Sequence, residues 1–177
     1  MDTNIAVFKK VSGRQFAKDF KTCFGESASQ CMDMKKIYDE LQMPTRKTVG
    51  SAGYDFSFPL TITIPAHEAV TIPTGMRVFM EGLYVLQIYP RSSFGFKHGI
   101  MLANTVGIID KDYVLAENEG HIMIRVVNTT NENKTLDLSK GFAQGIFTRY
   151  GLAIEEEVTT QRVGGTGSTD NQQGVLK

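Results

Sequence analysis

The stretch 61–88, TITIPAHEAVTIPTGMRVFMEGLYVLQI, reads as a run of short β-strands. Thr61-Ile62-Thr63-Ile64 and Val70-Thr71-Ile72 are rich in β-branched residues, which fit a pleated, half-buried surface. Arg77-Val78-Phe79-Met80 and Tyr84-Val85-Leu86-Gln87-Ile88 continue the series, and Pro65, Pro73-Thr74-Gly75 and Glu81-Gly82 punctuate it. The alternating segment from His121 to Asn128 and a short strand from Leu136 to Leu138 extend the pattern C-terminally. Many short strands with turns this frequent predict an all-β sandwich or barrel.

The composition bounds the rest. At 177 residues the chain has the size of one domain with a sizeable core. Lys plus Arg and Asp plus Glu number 19 each, so the net charge is zero. A general nucleic-acid or membrane-surface binder normally shows a basic excess, so direct partners of those kinds are not expected. No apolar run approaches the length of a transmembrane helix, and the N-terminus lacks a signal-peptide core. The two cysteines, Cys23 and Cys31, lack the neighbouring His or Cys that a zinc site needs. They read as free thiols of a cytoplasmic protein.

Residues 1–43 differ in character from the β-rich remainder of the chain. Ser12 to Gln15 resembles a helix-start box ahead of Phe16, Phe20 and Phe24, which recur every four residues. This predicts an amphipathic helix over 12–24, closed by Gly25, with the three rings as core contacts. Glu26 to Gln30 is small and polar and reads as a loop. Asp33 to Leu41 reads as helix or as an extended segment. Pro44 to Lys47 is a basic linker into Gly50 to Phe56, where Gly53 lets the backbone approach a neighbour closely and Asp55 opens a strand. The division expected is an N-terminal extension over 1–43, a β-domain over 44–160 and a flexible, glycine-rich arm over 161–177.

The densest chemistry lies in 89–113, YPRSSFGFKHGIMLANTVGIIDKDY. Arg91, Ser92 and Ser93 offer a guanidinium, two hydroxyls and the amides of a turn, a combination that grips phosphate. Asn104 carries both a donor and an acceptor, the minimum for reading a base edge. Asp110 follows the apolar run Val106 to Ile109, at the edge of a dry wall, where a carboxylate can hold a water as general base. Tyr113 adds a flat ring.

These residues resemble the second and third motifs of the homotrimeric dUTPases, in the form found in Gram-positive bacteria and their phages. Ala52-Gly53-Tyr54-Asp55 resembles the first motif. Ser139 to Phe147 resembles the fourth, with Gln144 retained but without the acid-Arg pair usual after its glycine. Arg162 to Asp170 resembles the fifth. The resemblance implies a distorted jelly-roll or β-barrel of the dUTPase type, assembled as a homotrimer with sites shared between subunits. It implies hydrolysis of dUTP to dUMP and pyrophosphate, which limits uracil in DNA and supplies dUMP for dTTP synthesis. In that scheme Asp110 activates a water, Gln144 aids it, and Ser92 lies nearest the bridging oxygen of the leaving group. Arg91 and Ser93 bind phosphates. Asn104 pairs with uracil, Gly107, Ile109 and Met123 surround the nucleoside, and Tyr113 lies under the deoxyribose. Arg162 with Gly165, Thr166, Gly167 and Ser168 closes over the phosphates. Mg²⁺ is held through phosphates and water, with Asp55 nearby but no direct protein ligand.

Two other readings share the resemblance. A dCTP deaminase has the same fold, but its pocket needs a proton-moving carboxylate, usually Glu, where the GIIDKDY hairpin has the dUTPase form. A regulatory protein on the inherited fold, binding a protein partner as some phage-encoded members are implicated in doing, is favoured by the altered tail. There Thr166 stands where the family stacks a Phe on the base, and Asp170 stands where a Gly is usual. Base–aromatic stacking is worth about 1–3 kcal/mol. Thr166→Phe is therefore expected to raise kcat/KM for dUTP severalfold in a steady-state assay, and an unchanged value would contradict this.

Overall fold

The computed structural model describes residues 4–154 together with Val158, Thr159, Arg162 and Gly164. Eleven strands and four α-helices are found among them. The expected strands appear at β3 (Thr61–Ile64), β4 (Ala69–Pro73), β5 (Met76–Met80), β6 (Tyr84–Pro90), β9 (Met123–Asn128) and β10 (Lys134–Asp137). Around them lie β1 (Ala6–Lys10), β2 (Tyr54–Phe56), β7 (Ile100–Leu102), β8 (Gly107–Ile109) and β11 (Ala143–Arg149).

All pairings are antiparallel. A four-stranded sheet runs β2-β11-β6-β8, a three-stranded sheet runs β4-β9-β7, and the pairs β1-β5 and β10-β3 complete a jelly roll. These sheets do not join into one closed barrel. Their inner faces share one core, in which Ile64, Ile72, Leu86, Ile122 and Leu138 are fully buried. The alternation is direct on β3, where Ile62 and Ile64 point in and Thr61 and Thr63 point out.

The N-terminal region contributes to that core. Helix α1 (Gly13–Phe24) starts at Ser12, whose hydroxyl accepts from the Gln15 amide, and stops at Gly25. Phe16 and Phe20 are buried, and the rings of Phe16, Phe20 and Phe24 lie 6.3–6.5 Å from that of Phe58. Removing such a ring costs about 3–5 kcal/mol. Two local features differ from the sequence reading, and a third is settled between its two alternatives. Strand β1 pairs with β5 along its whole length, a pairing of long sequence separation that no local pattern announces. Glu26–Cys31 is a short helix, α2, rather than a loop, with Lys21 reaching across the Gly25 turn to Glu26 at 2.7 Å. Met34–Glu40 is helix α3, capped by Asp33.

Two carboxylates stitch this region to the sheets. Glu119 accepts from both the amide and hydroxyl of Ser12, at 2.8 and 2.6 Å. Asp19 lies 2.6 Å from Nδ1 of the buried His121. Burial alone would raise the Asp19 carboxyl, but hydrogen bonds from His121 and Gln15 outweigh it and hold it below its ordinary value. The Ser12 hydrogen bonds hold Glu119 below its own. A depressed carboxylate adds stability above the unfolded-state pKa, about 4, and loses it as pH falls through the folded-state value. Chemical denaturation at pH 7 and at pH 3 is therefore expected to show a lower midpoint at pH 3. In Glu119→Gln the pH 7 midpoint should drop and the pH dependence flatten. A variant with the wild-type pH dependence would contradict this assignment.

Candidate active site

The polar residues singled out in the sequence fall into two groups, one around Arg91 where β6 ends and one lining a cavity beside β8. The first group gathers where β6 ends. The turn expected at Ser92 is the first turn of helix α4 (Ser92–His98), with Arg91 at its N-cap and Gly99 closing it in the left-handed conformation. Ser92 is exposed and Ser93 half-buried. The Arg91 guanidinium is fixed by the carbonyls of Lys140 and Gly141 and lies 3.6 Å from Asp55. Gly141 has φ +93°, and a Cβ there would come within 2.7 Å of that guanidinium, so glycine serves both the turn and the arginine.

Register brings Gln144 into the same group. On β11 it stands opposite Asp55 of β2 on one side and Tyr89 of β6 on the other. Its amide donates to the Pro90 carbonyl at 3.3 Å. Gly53 is the close approach anticipated from sequence: a Cβ there would meet the Gln144 Oε1 at 2.5 Å. One Asp55 oxygen, Oδ2, is buried without a hydrogen-bond partner and faces Arg91.

The second group lines a cavity of about 860 Å³, within the ~300–1,000 Å³ typical of ligand pockets. Asn104, Gly107, Ile109, Asp110, Tyr113 and Met123 all border it, with Ile88, Leu102 and Ile124 as its apolar floor. The hairpin of β7 and β8 turns through Ala103 to Val106, and Thr105 takes a left-handed conformation there. Asn104 is exposed at this turn. Tyr113 sits in a 3₁₀ turn, Lys111–Leu115, with its ring largely buried and its hydroxyl donating to the His121 carbonyl at 3.1 Å.

Arg162 reaches the same cavity from the C-terminal side. Its guanidinium donates to Asp110 at 2.7 Å and to Asp112 at 2.9 Å, and lies over the Tyr113 ring. Both carboxylates are about half exposed. Gly165, Thr166, Gly167, Ser168 and Asp170 lie outside the described residues. The sequence reading missed Asp112 as a partner of Arg162. It also missed Thr22 and Cys23 of α1, which border the cavity from a part of the chain with no motif.

Register separates the Asp110 and Arg91 backbones. Ile109 pairs with Leu86, so Asp110 leaves the sheet beside Val85, while Arg91 lies six residues further along β6. At ~3.3 Å per residue the two are roughly 20 Å apart.

A sequence model of the dUTPase family matches residues 39–170. The chain belongs to the dUTPase family. The deoxyuridine 5'-triphosphate nucleotidohydrolase of Lactococcus lactis subsp. lactis (strain IL1403) is 38% identical over 132 residues, covering 73% of this chain and 88% of that one. The crystal structure of the dUTPase from Streptococcus mutans superposes with a TM-score of 0.62 at 30% identity, over 82% of this chain and 97% of that one. The dUTPase of Staphylococcus bacteriophage 80alpha, solved with dUPNHPP, has a TM-score of 0.61 at 17% identity over 89% and 90% of the two chains, and shares the fold. The dUTPase match thus spans both groups of site residues, and the jelly roll expected from the motifs is the fold found.

Gly53 yields a direct structural test. Since the nearest atom to a Cβ there is the end of a side chain and not backbone, Gly53→Ala should fold with a stability within about 1 kcal/mol of wild type. Its crystal structure should show the Gln144 carboxamide displaced and the bond to Pro90 lost. An unmoved Gln144 would contradict the packing described.

Proposed function

We propose that this chain hydrolyses dUTP to dUMP and pyrophosphate at a site assembled between subunits of a homotrimer. The observation that carries this reading is that Asn104, Asp110 and Tyr113 border one cavity, while the register of β6 sets Arg91, with Ser92, Ser93 and Gln144 around it, roughly 20 Å from Asp110. A neighbouring copy closes that gap by bringing its Arg91 end to this chain's hairpin. Apolar surface is available for such contact: Ile108 and Leu115, beside Asp110, are more than half exposed, and Phe96 on α4 is almost wholly so.

The nucleoside end follows from hydrogen-bond chemistry. Asn104 and the main-chain groups of the 103–107 turn pair with uracil. Cytosine puts a donor where the site requires an acceptor, and a polar site rejects such a mismatch strongly. Gly107 keeps the slot flat: a Cβ there would crowd Ile88 at 3.1 Å. Tyr113, flat and fixed by its hydroxyl, packs under the deoxyribose and leaves no room for a 2′-hydroxyl.

Asp110 is the general base. Its carboxylate stands at the border of the cavity, where it can accept a proton from a water held there. Before substrate arrives it is paired with Arg162 at 2.7 Å. A half-exposed pair of this kind is worth only about 0–1 kcal/mol, so a triphosphate with several charges outcompetes it for the guanidinium. Arg162 then moves to phosphate and Asp110 is released to hold the water. Gln144, within the phosphate group of the neighbouring subunit, orients that water. Arg91 neutralises the phosphates, Ser92 donates to the bridging oxygen as pyrophosphate leaves, and Ser93 holds a non-bridging oxygen.

The residues present fit Mg²⁺ carried by the substrate. The unpartnered Asp55 oxygen is the kind of hard acceptor that accepts from a magnesium-bound water. When bound, Mg²⁺ supplies positive charge across the triphosphate. The reaction belongs in the cytoplasm with the nucleotide pool. In this scheme 44–160 forms the catalytic domain, 1–43 an extension to it and 161–177 an arm that carries Arg162.

Asp110→Asn is expected to lower pyrophosphate release from dUTP by at least about 10²-fold while leaving dUTP binding largely intact. Wild type should turn over dUTP in preference to dCTP, dTTP and UTP. Release of ammonia from dCTP, or full activity in Asp110→Asn, would contradict the proposal. A regulatory partner of the kind associated with phage dUTPases remains outside this scheme and is not needed by it.

A further inference from the structure

The N-terminal helix is joined to the sugar end of the cavity by an unbroken chain of contacts. Asp19 on α1 lies 2.6 Å from His121 Nδ1. The other ring nitrogen, Nε2, accepts the Gly75 amide at 2.7 Å, so the ring donates to Asp19 through Nδ1–H. The ring is fully buried. The backbone carbonyl of the same residue, His121, accepts the Tyr113 hydroxyl at 3.1 Å, and Asn118 donates to that hydroxyl at 3.1 Å. Two residues after His121 comes Met123, which borders the cavity.

One turn after Asp19 on the same helix, Thr22 and Cys23 border the cavity themselves, beside Val70 and Thr71 of β4. The helix therefore touches the cavity directly and holds the support of its tyrosine indirectly. Both contacts come from a segment ahead of residue 39, where the dUTPase match begins.

We propose that helix α1 is a specificity element of this enzyme: Asp19 is a positioning residue that, through His121, fixes Tyr113 against the sugar, and Thr22 and Cys23 form part of the pocket wall. This rests on the reading of Tyr113 as the plate under deoxyribose. Without Asp19 the imidazole loses the carboxylate that accepts its Nδ1–H and can rotate from the Gly75 amide. The His121 carbonyl then shifts, and the Tyr113 ring loosens where a 2′-hydroxyl is to be excluded.

The test compares wild type, Asp19→Ala and Asp19→Asn on dUTP and UTP. Asp19→Asn keeps an oxygen to accept from Nδ1–H. Asp19→Ala is expected to raise KM for dUTP by about fivefold or more with a smaller change in kcat, and to narrow the dUTP-to-UTP ratio of kcat/KM by a similar factor. Asp19→Asn should recover most of both. A folded Asp19→Ala with an unchanged KM and ratio would overturn the proposal, while wild type without dUTP turnover would overturn the functional reading beneath it. A second measurement is independent of folding in the variants. Thiol labelling of the wild-type protein is followed by mass spectrometry with and without saturating dUMP. Burial and the Asp19 charge push the Cys23 thiol up to about 11, so its labelling is slow, while the exposed Cys31 serves as internal control. Protection of Cys23 but not Cys31 supports the wall, and equal rates with and without dUMP would overturn it.

Discussion

A β-strand has a fixed advance per residue, and β6 turns that constant into the layout of the molecule. Its seven residues pair with β11 on one side and, through Leu86 to Ile88, with β8 on the other. The antiparallel register sets Asp110 beside Val85 at one end, while Arg91, α4 and Gln144 lie at the other, toward which the 103–106 turn also points. Hydrogen-bond register holds the two ends apart with no freedom to fold toward each other. Under the function proposed above, the general base and the phosphate grip fall at different ends of this strand.

The same economy of placement governs each half-site. Arg91 is aimed by two carbonyls and a carboxylate, and its space is kept by Gly141. Gln144 is aimed by its strand position and by the absence of a Cβ at Gly53. Tyr113 is aimed by a buried carbonyl. Supporting groups of this kind matter because misplacement by about 1 Å can cost on the order of 10²-fold in rate. The N-terminal helix fits this logic: it buries Phe16 and Phe20 in the common core and presents Asp19 to His121 from a rigid element.

How much of this was legible in the sequence depended on the range of the interaction. Strands with local alternation, such as Thr61–Ile64, and the helix start at Ser12 announced themselves, because their signals lie within a few residues. Residues 104–113 carried Asn104, Gly107, Ile109, Asp110 and Tyr113 in one run, and all five border the cavity. Strand β1 was not, since its partner β5 lies about 70 residues on and Ala6–Lys10 has no turn signal to bound it. Helix α2 was hidden because Glu26–Cys31 is small and polar, and its stability comes from α1 beside it. The Asp19–His121 pair spans 102 residues and has no spacing rule at all. The pairing of Arg162 with Asp110 and Asp112 was obscured by the expectation of a phosphate partner, since the same guanidinium suits either anion.

The central claim is that Asp110 of one subunit acts on a phosphate held by Arg91 of another, and complementation tests it most directly. Asp110→Asn and Arg91→Ala are each inactive or nearly so on their own. Unfolded together and refolded as mixed trimers, they would include sites in which an intact Asp110 faces an intact Arg91. The account predicts that pyrophosphate release from dUTP returns in the mixture, to a fraction of wild type set by the number of such sites, and stays absent when each variant is refolded alone. A mixture that forms mixed trimers yet remains as inactive as its parents would place both residues at one chain's site and contradict the account.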